Sequence, residues 1–222
     1  MGHFARRAIV TDGLVFQADA ANGLGDNVTN VKNIVTPTET GSFENGASVV
    51  DNAYTFDGTD DHIVFDYVDS IHDLSSTDFT LEAWFVATDF DESRAIISKD
   101  TFGVNFDWCI QIASATSISI YTAGTAQSVV ATVPTMVGGV PYLVDITSDG
   151  GDINIMLNGV IYQTTTMAIT NASQIQLTIG CFSYNNPNGV FLGKIPIVRI
   201  YHSALSEIEA LQNYEATKHR FI

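Results

Sequence analysis

The chain has 222 residues, of which 45% are hydrophobic and 15% charged, and a formal net charge of -16. That length and balance allow one well-buried domain without disulfide or metal staples and exclude a disordered chain. The acidity excludes a phosphate-binding surface for nucleic acid and adhesion to anionic membrane, and no segment reaches the ~18 apolar residues of a membrane span.

In chain order, Met1 to Thr11 is a short basic, apolar arm carrying Phe4, Arg6 and Arg7, with no apolar signal-peptide region after it. Gly13 to Asp19 reads as a short strand, and the polar passage from Ala21 to Val50 reads as a long loop. Tyr54–Asp57 and His62–Val68 read as strands around the turn Gly58–Asp61. The stretch Phe79 to Thr88 is the central strand. Phe79, Leu81, Ala83, Phe85 and Ala87 share a wholly apolar face, and Thr80, Glu82, Trp84, Val86 and Thr88 share a mixed one. The mixed face is expected to be a half-wet surface or a shallow groove.

Further strands are expected at Ala95–Ser98, Trp108–Ala113, Ser117–Tyr121, Ser128–Val133, Tyr142–Thr147, Ile153–Leu157, Val160–Tyr162, Gln176–Ile179 and Gly193–Tyr201. Asp149-Gly-Gly-Asp152 and Asn158-Gly159 are hairpin turns. Pro196 lacks a backbone donor, so its strand lies at an edge or is bulged there. Ser206 and Glu209 form a capping box, and Leu205, Ile208, Leu211 and Tyr214 recur at near-helical spacing, so this helix is expected to lay an apolar face on the sheet. Many strands and one late helix predict an all-β, two-sheet antiparallel jelly-roll sandwich, as a single domain over residues 12–222 with the arm at 1–11. Cys109 and Cys181 read as buried free thiols, which suits synthesis in a reducing cytoplasm.

Catalytic patterns are sparse. A sugar-cleaving carboxylate pair within the strand Phe79 to Thr88 would need a second acid two or four residues from Glu82, and the positions the strand offers there are Thr80, Trp84 and Val86. The five histidines show no metal spacing, and no nucleophile elbow or phosphate loop is present. The chain is therefore expected not to be an enzyme. Ca²⁺ takes ~6–8 oxygens, often from loop carboxylates, so Asp60 and Asp61 in one turn and Asp89 and Asp91 in another are the candidate metal ligands; no cofactor is required. Sugar rings stack on aromatic side chains, which makes Trp84 with Glu82, and Tyr184 with Asn185 in a polar loop, the candidate ligand-binding residues.

The order Asp12-Gly-Leu-Val-Phe-Gln-Ala-Asp19, Phe56-Asp-Gly-Thr-Asp-Asp-His-Ile63, Phe79-Thr-Leu-Glu-Ala-Trp84, Ile179-Gly180 and Gly193 to Ser206 resembles laminin-G-like, concanavalin A-like lectin/glucanase domains over nearly the whole chain. The resemblance implies a jelly-roll that binds glycans or proteins without catalysis. Many members carry a Trp-His pair where this chain has Pro141-Tyr142-Leu143, so no role of that pair transfers. The opening Ile9 to Val15 and the ending Tyr214 to Phe221 are similar to versions found in tailed-bacteriophage virion proteins. The function expected on that basis is a virion structural or decoration protein made in the host cytoplasm, docked through Phe4, Arg6 and Arg7 onto other virion proteins or copies of itself. The alternative is a carbohydrate-binding adhesion module for surface glycans.

Overall fold

The computed structural model describes residues 8–22, 30–74, 78–101, 105–122, 127–167, 169, 174–183 and 187–222. In chain order the first strands are β1 (Leu14–Asp19), β2 (Asn30–Lys32), β3 (Thr40–Glu44), β4 (Ser48–Val50), β5 (Ala53–Asp57), β6 (His62–Phe65), β7 (Phe79–Ala87) and β8 (Arg94–Thr101). They are followed by β9 (Asn105–Ser114), β10 (Ser117–Thr122), β11 (Gln127–Thr132), β12 (Tyr142–Asp149), β13 (Asp152–Leu157), β14 (Val160–Thr166), β15 (Leu177–Ile179) and β16 (Leu192–Tyr201). A one-turn helix, α1 (Asp69–His72), precedes β7, and α2 (Glu207–Thr217) runs into a 3-10 turn at Lys218–Arg220.

The strands form two eight-stranded antiparallel sheets, as the alternating patterns predict. The first has the order β14-β13-β12-β7-β16-β5-β4, with β1 also paired to β16. The second has the order β11-β10-β9-β8-β15-β6-β3-β2. Thus β7 is central and β16 is its neighbour. Residues 192–195 of β16 pair with β5, and residues 197–201 pair with β1, so two strands divide one edge of β16. The division falls at Pro196, where the register against β7 also shifts, which is the bulge expected of a residue with no N–H.

The polar passage from 21 to 50 is not a plain loop: its described part carries β2, β3 and β4. Two of these are three residues long, too short for an alternating pattern to stand out. The hairpin turns form as read, with Asn158 and Gly159 both at positive φ and the Asn158 side chain accepting from Leu143 N at 2.9 Å.

The apolar face of β7 enters the core with Phe16, Phe56, Trp108, Ile110, Ile146 and Ile200 from both sheets. Each fully buried aliphatic or aromatic side chain there contributes roughly 1.5–3 kcal/mol. Backbones also close up around β16. A Cβ on Gly193, whose φ is +138°, would stand 2.2 Å from the Val86 carbonyl oxygen. Gly193→Ala is therefore expected to destabilise by about 3 kcal/mol or more. Gly150 (φ +59°) has no atom within 4 Å of such a Cβ, and Gly150→Ala should cost only about 1 kcal/mol. Urea unfolding midpoints of the two variants check this difference.

Candidate functional site

The mixed face of β7 is organised in three cross-strand rungs. Thr147, Thr80 and Tyr201 form the first, Asp145, Glu82 and Arg199 the second, and Leu143, Trp84 and Ile197 the third. Side chains paired across a sheet point to the same face, so all nine lie on the outer side of the first sheet. That side is not wet. Glu82 is 1% exposed and Trp84 0%, because α2 lies across them. The expectation that Trp84 and Glu82 form an accessible ligand platform is corrected here.

The helix makes this contact with its polar side. Asn213 Nδ2 donates to Glu82 Oε2 at 2.7 Å and to the Tyr201 hydroxyl at 3.0 Å. Trp84 Nε1 donates to Thr217 Oγ1 at 2.8 Å, and the indole stacks on Tyr214 and packs against Phe221. Thr80 Oγ1 donates to Ser203 O and accepts from Leu205 N, which pins the connection into the helix. The buried helix residues are Ala210, Asn213 and Thr217, whereas Ile208 is 77% exposed and Leu211 41%. Of the apolar residues expected to meet the sheet, Leu205 is buried and Tyr214 stacks on Trp84, but Ile208 and Leu211 turn outward, since the sheet also offers an acid and an indole N–H that only polar partners can satisfy. Ser206 caps the helix and Glu209 reaches back to it, as the capping box requires.

The second rung supplies the acid missing from β7 itself. Asp145, from β12, stands beside Glu82, and Arg199 forms a buried ion pair with Glu82. Burial, reinforced by the charge of Glu82, pushes the Asp145 carboxyl well above the usual carboxylate range. As a carboxylate Asp145 would have no hydrogen-bond donor, whereas as an acid it donates to Glu82. A carboxyl that holds its proton beside a second carboxyl is a component of acid–base chemistry, but this pair is closed off by Asn213 and the helix.

The cover ends at the next rung, Val86 beside Lys194. There an open trough forms from two adjoining hollows of about 480 and 430 Å³ that share Val86, Gly139 and Lys194. Asp51 and Asn52 line one part of it, Gly139 and Pro141 another, and Arg220 and Phe221 close the end next to the helix. Lys194 Nζ pairs with Asp51 at 3.0 Å. Arg220 grips Asp19 with two hydrogen bonds of 2.8 and 2.6 Å. Of these residues only Val86 lies on the face read from the sequence as a groove, and none was a candidate ligand-binding residue.

The other expected residues fall as follows. Asp60 and Asp61 do meet, together with Asp57, each offering a carboxylate oxygen within 4.8 Å of the others. This corner is where a divalent ion would find three acidic ligands. Asp61 is already used in the turn, accepting from Asp57 N at 2.9 Å, and burial raises its affinity for a proton. Asp89 lies apart from that group and accepts from Arg94, while Asp91 is exposed beside it. Tyr184 and Asn185, and Phe4, Arg6 and Arg7, lie outside the described residues. Of the arm, residues 8–10 are held by the domain's own helix, through Val10 N to Asn213 Oδ1 at 2.8 Å and Gln212 Nε2 to Ala8 O at 2.9 Å.

Against known proteins, the family model described as the concanavalin A-like lectin/glucanases superfamily matches residues 57–210. The chain belongs to this superfamily. No curated protein sequence matches it. Among solved structures, the concanavalin A-like fold recurs in the Trypanosoma rangeli sialidase in complex with 2,3-difluorosialic acid, at 13% identity and a TM-score of 0.71 over 96% of this chain. The chain spans about a third (34%) of that sialidase. It recurs also in domain 4 of the extracellular arabinanase AbnA of Geobacillus stearothermophilus in complex with arabinotriose, at 14% identity and a TM-score of 0.67, over 90% of this chain and 98% of that one.

Two outcomes follow for the covered rungs. Asn213→Leu keeps the branched shape but removes a donor from buried Glu82, so it should lower stability by about 1.5–3 kcal/mol in urea unfolding. Folded Asp145 keeps its proton at pH values where the unfolded chain, near its ordinary value of 3.8, has released it. The native state then binds more protons, so this group's contribution to stability falls as pH rises from about 4, by up to about 1.4 kcal/mol per unit. Asp145→Asn should flatten that decline, as unfolding curves taken across the range will report.

Proposed function

We propose that the domain is a non-catalytic carbohydrate-binding module. Its superfamily is built around a lectin-type sandwich, and domain 4 of AbnA, a structure of similar extent, was solved in complex with arabinotriose. The single observation that carries the reading is the division of the outer face of β7. The one acid pair on that strand's rungs, Glu82 with Asp145, is sealed under α2, while the trough directly beyond it stays open to ligand. A hydrolase would require the reverse, an acid pair that substrate can reach.

A second reading places this module on a tailed-bacteriophage virion. It is supported by the resemblance of Ile9 to Val15 and Tyr214 to Phe221 to virion proteins, two segments that pack on the same outer face. Particle images with the chain assigned to a head or tail position would test it, and absence of the chain from purified particles would overturn it.

For the first reading, the purified protein should bind members of an immobilised oligosaccharide panel and release no new reducing ends from them. Turnover of any bound glycan that is abolished by Glu82→Gln would overturn it.

A further inference from the structure

We propose that the ligand of the trough is a neutral saccharide, held by vicinal hydroxyls against the preformed Lys194–Asp51 ion pair; this rests on the carbohydrate-binding reading and adds both the place and the chemical class. The trough has a volume within the ~300–1,000 Å³ of small-ligand sites. Lys194 is fixed by Asp51 through one carboxylate oxygen, so this cation stands beside an anion that has accepting capacity left, and Arg220, held by Asp19, keeps N–H donors beyond the two it gives that carboxylate.

A hydroxyl both donates and accepts, and two on neighbouring carbons present that ability side by side. Such a pair can accept from the Lys194 ammonium and donate to the Asp51 carboxylate without breaking the ion pair. A carboxylate or phosphate on the ligand has no donor for Asp51 and would share Lys194 with it at the cost of like-charge repulsion, on a chain of net charge -16. The cost therefore falls on acidic sugars and spares neutral ones.

The apolar surroundings fit the other side of a sugar ring. Phe221 closes one end of the trough, its ring held 4.7 Å from that of Trp84, and Pro141 and Pro196 add to the lining. A C–H face can pack on such surfaces while the hydroxyls meet the Lys194–Asp51 pair. Gly139 borders both hollows, and no atom lies within 4 Å of where its Cβ would be, so nothing obstructs the middle of the trough.

The test is calorimetric titration of the intact chain with arabinotriose, cellotriose, galactotriose, galacturonate trimer and sialyllactose, at low and high salt. The expected result is that one or more of the neutral oligosaccharides binds, with affinity changed less than about twofold by salt. Lys194→Met and Phe221→Ala should each weaken it about tenfold, and Val86→Phe, which fills the floor, should abolish it, with melting curves showing the variants folded. Binding confined to the acidic sugars, or lost at high salt, would overturn the assignment of class. Neutral-sugar binding unmoved in folded variants would overturn the trough and leave the module's reading standing. A wider glycan panel with no binder at all would overturn both.

Discussion

The hydrogen bonds from Asn213 to Glu82 and from Trp84 to Thr217 decide what the outer face of the first sheet becomes. Removing one partner from a buried ion pair typically costs about 3–5 kcal/mol, so Glu82 and Arg199 can be covered only by something that also satisfies them. An apolar helix face would cover the rungs and leave the carboxylate short of donors. The amide of Asn213 does both, and its oxygen in turn accepts from Val10, which ties the N-terminal segment to the same point. Strand, helix and leading segment are thus cross-linked through one side chain.

The charged rung also bears on register. Sliding β7 by two residues would keep every side chain on its proper face, so hydrophobic alternation alone does not forbid it. It would, however, move Glu82 out of line with both Arg199 and Asp145 and strand a buried charge. A second fully buried ion pair, Lys99 with Asp107, joins β8 to β9 in the other sheet, where the register shifts locally. In each sheet one buried charge pair marks a single alignment of two neighbouring strands, a role for which such pairs are better suited than for raw stability.

Local patterns carried most of the strands, the hairpin turns, the capping box and the bulge at Pro196, because each depends on residues close in sequence. The burial of Glu82 and Trp84 was not legible, since alternation shows that a face is mixed and not what lies over it. Their cover comes from 131 and 133 positions away. The helix misleads for a related reason: a polar face that meets a polar sheet leaves no hydrophobic signal, so the conspicuous Ile208 and Leu211 drew attention to the exposed side. Asp60 and Asp61 were readable as a turn, and Asp57 joins them from the strand end just before it. The trough gathers Asp51, Gly139, Lys194 and Phe221 from four separate segments, and no spacing rule connects them.

The position of the trough follows from the dimensions of its cover. Asn213 meets Glu82 and Thr217 meets Trp84, so four helix residues, about 6 Å of rise, match two strand residues, about 6.8 Å. The helix therefore advances along β7 in step with the rungs. It ends at Thr217, the residue that satisfies Trp84, and the chain then tightens into the turn Lys218–Arg220. That turn carries Arg220 across to Asp19 and leaves Phe221 on the far side of the indole. The rung of Val86 and Lys194 lies one step past the last helical residue and stays bare. The bulge at Pro196 falls between Lys194 and Ile197, at the boundary between the bare rung and the covered ones. A helix one turn longer would continue over Val86, so the length that completes the hydrogen bonding of Trp84 is also the length that leaves the trough open.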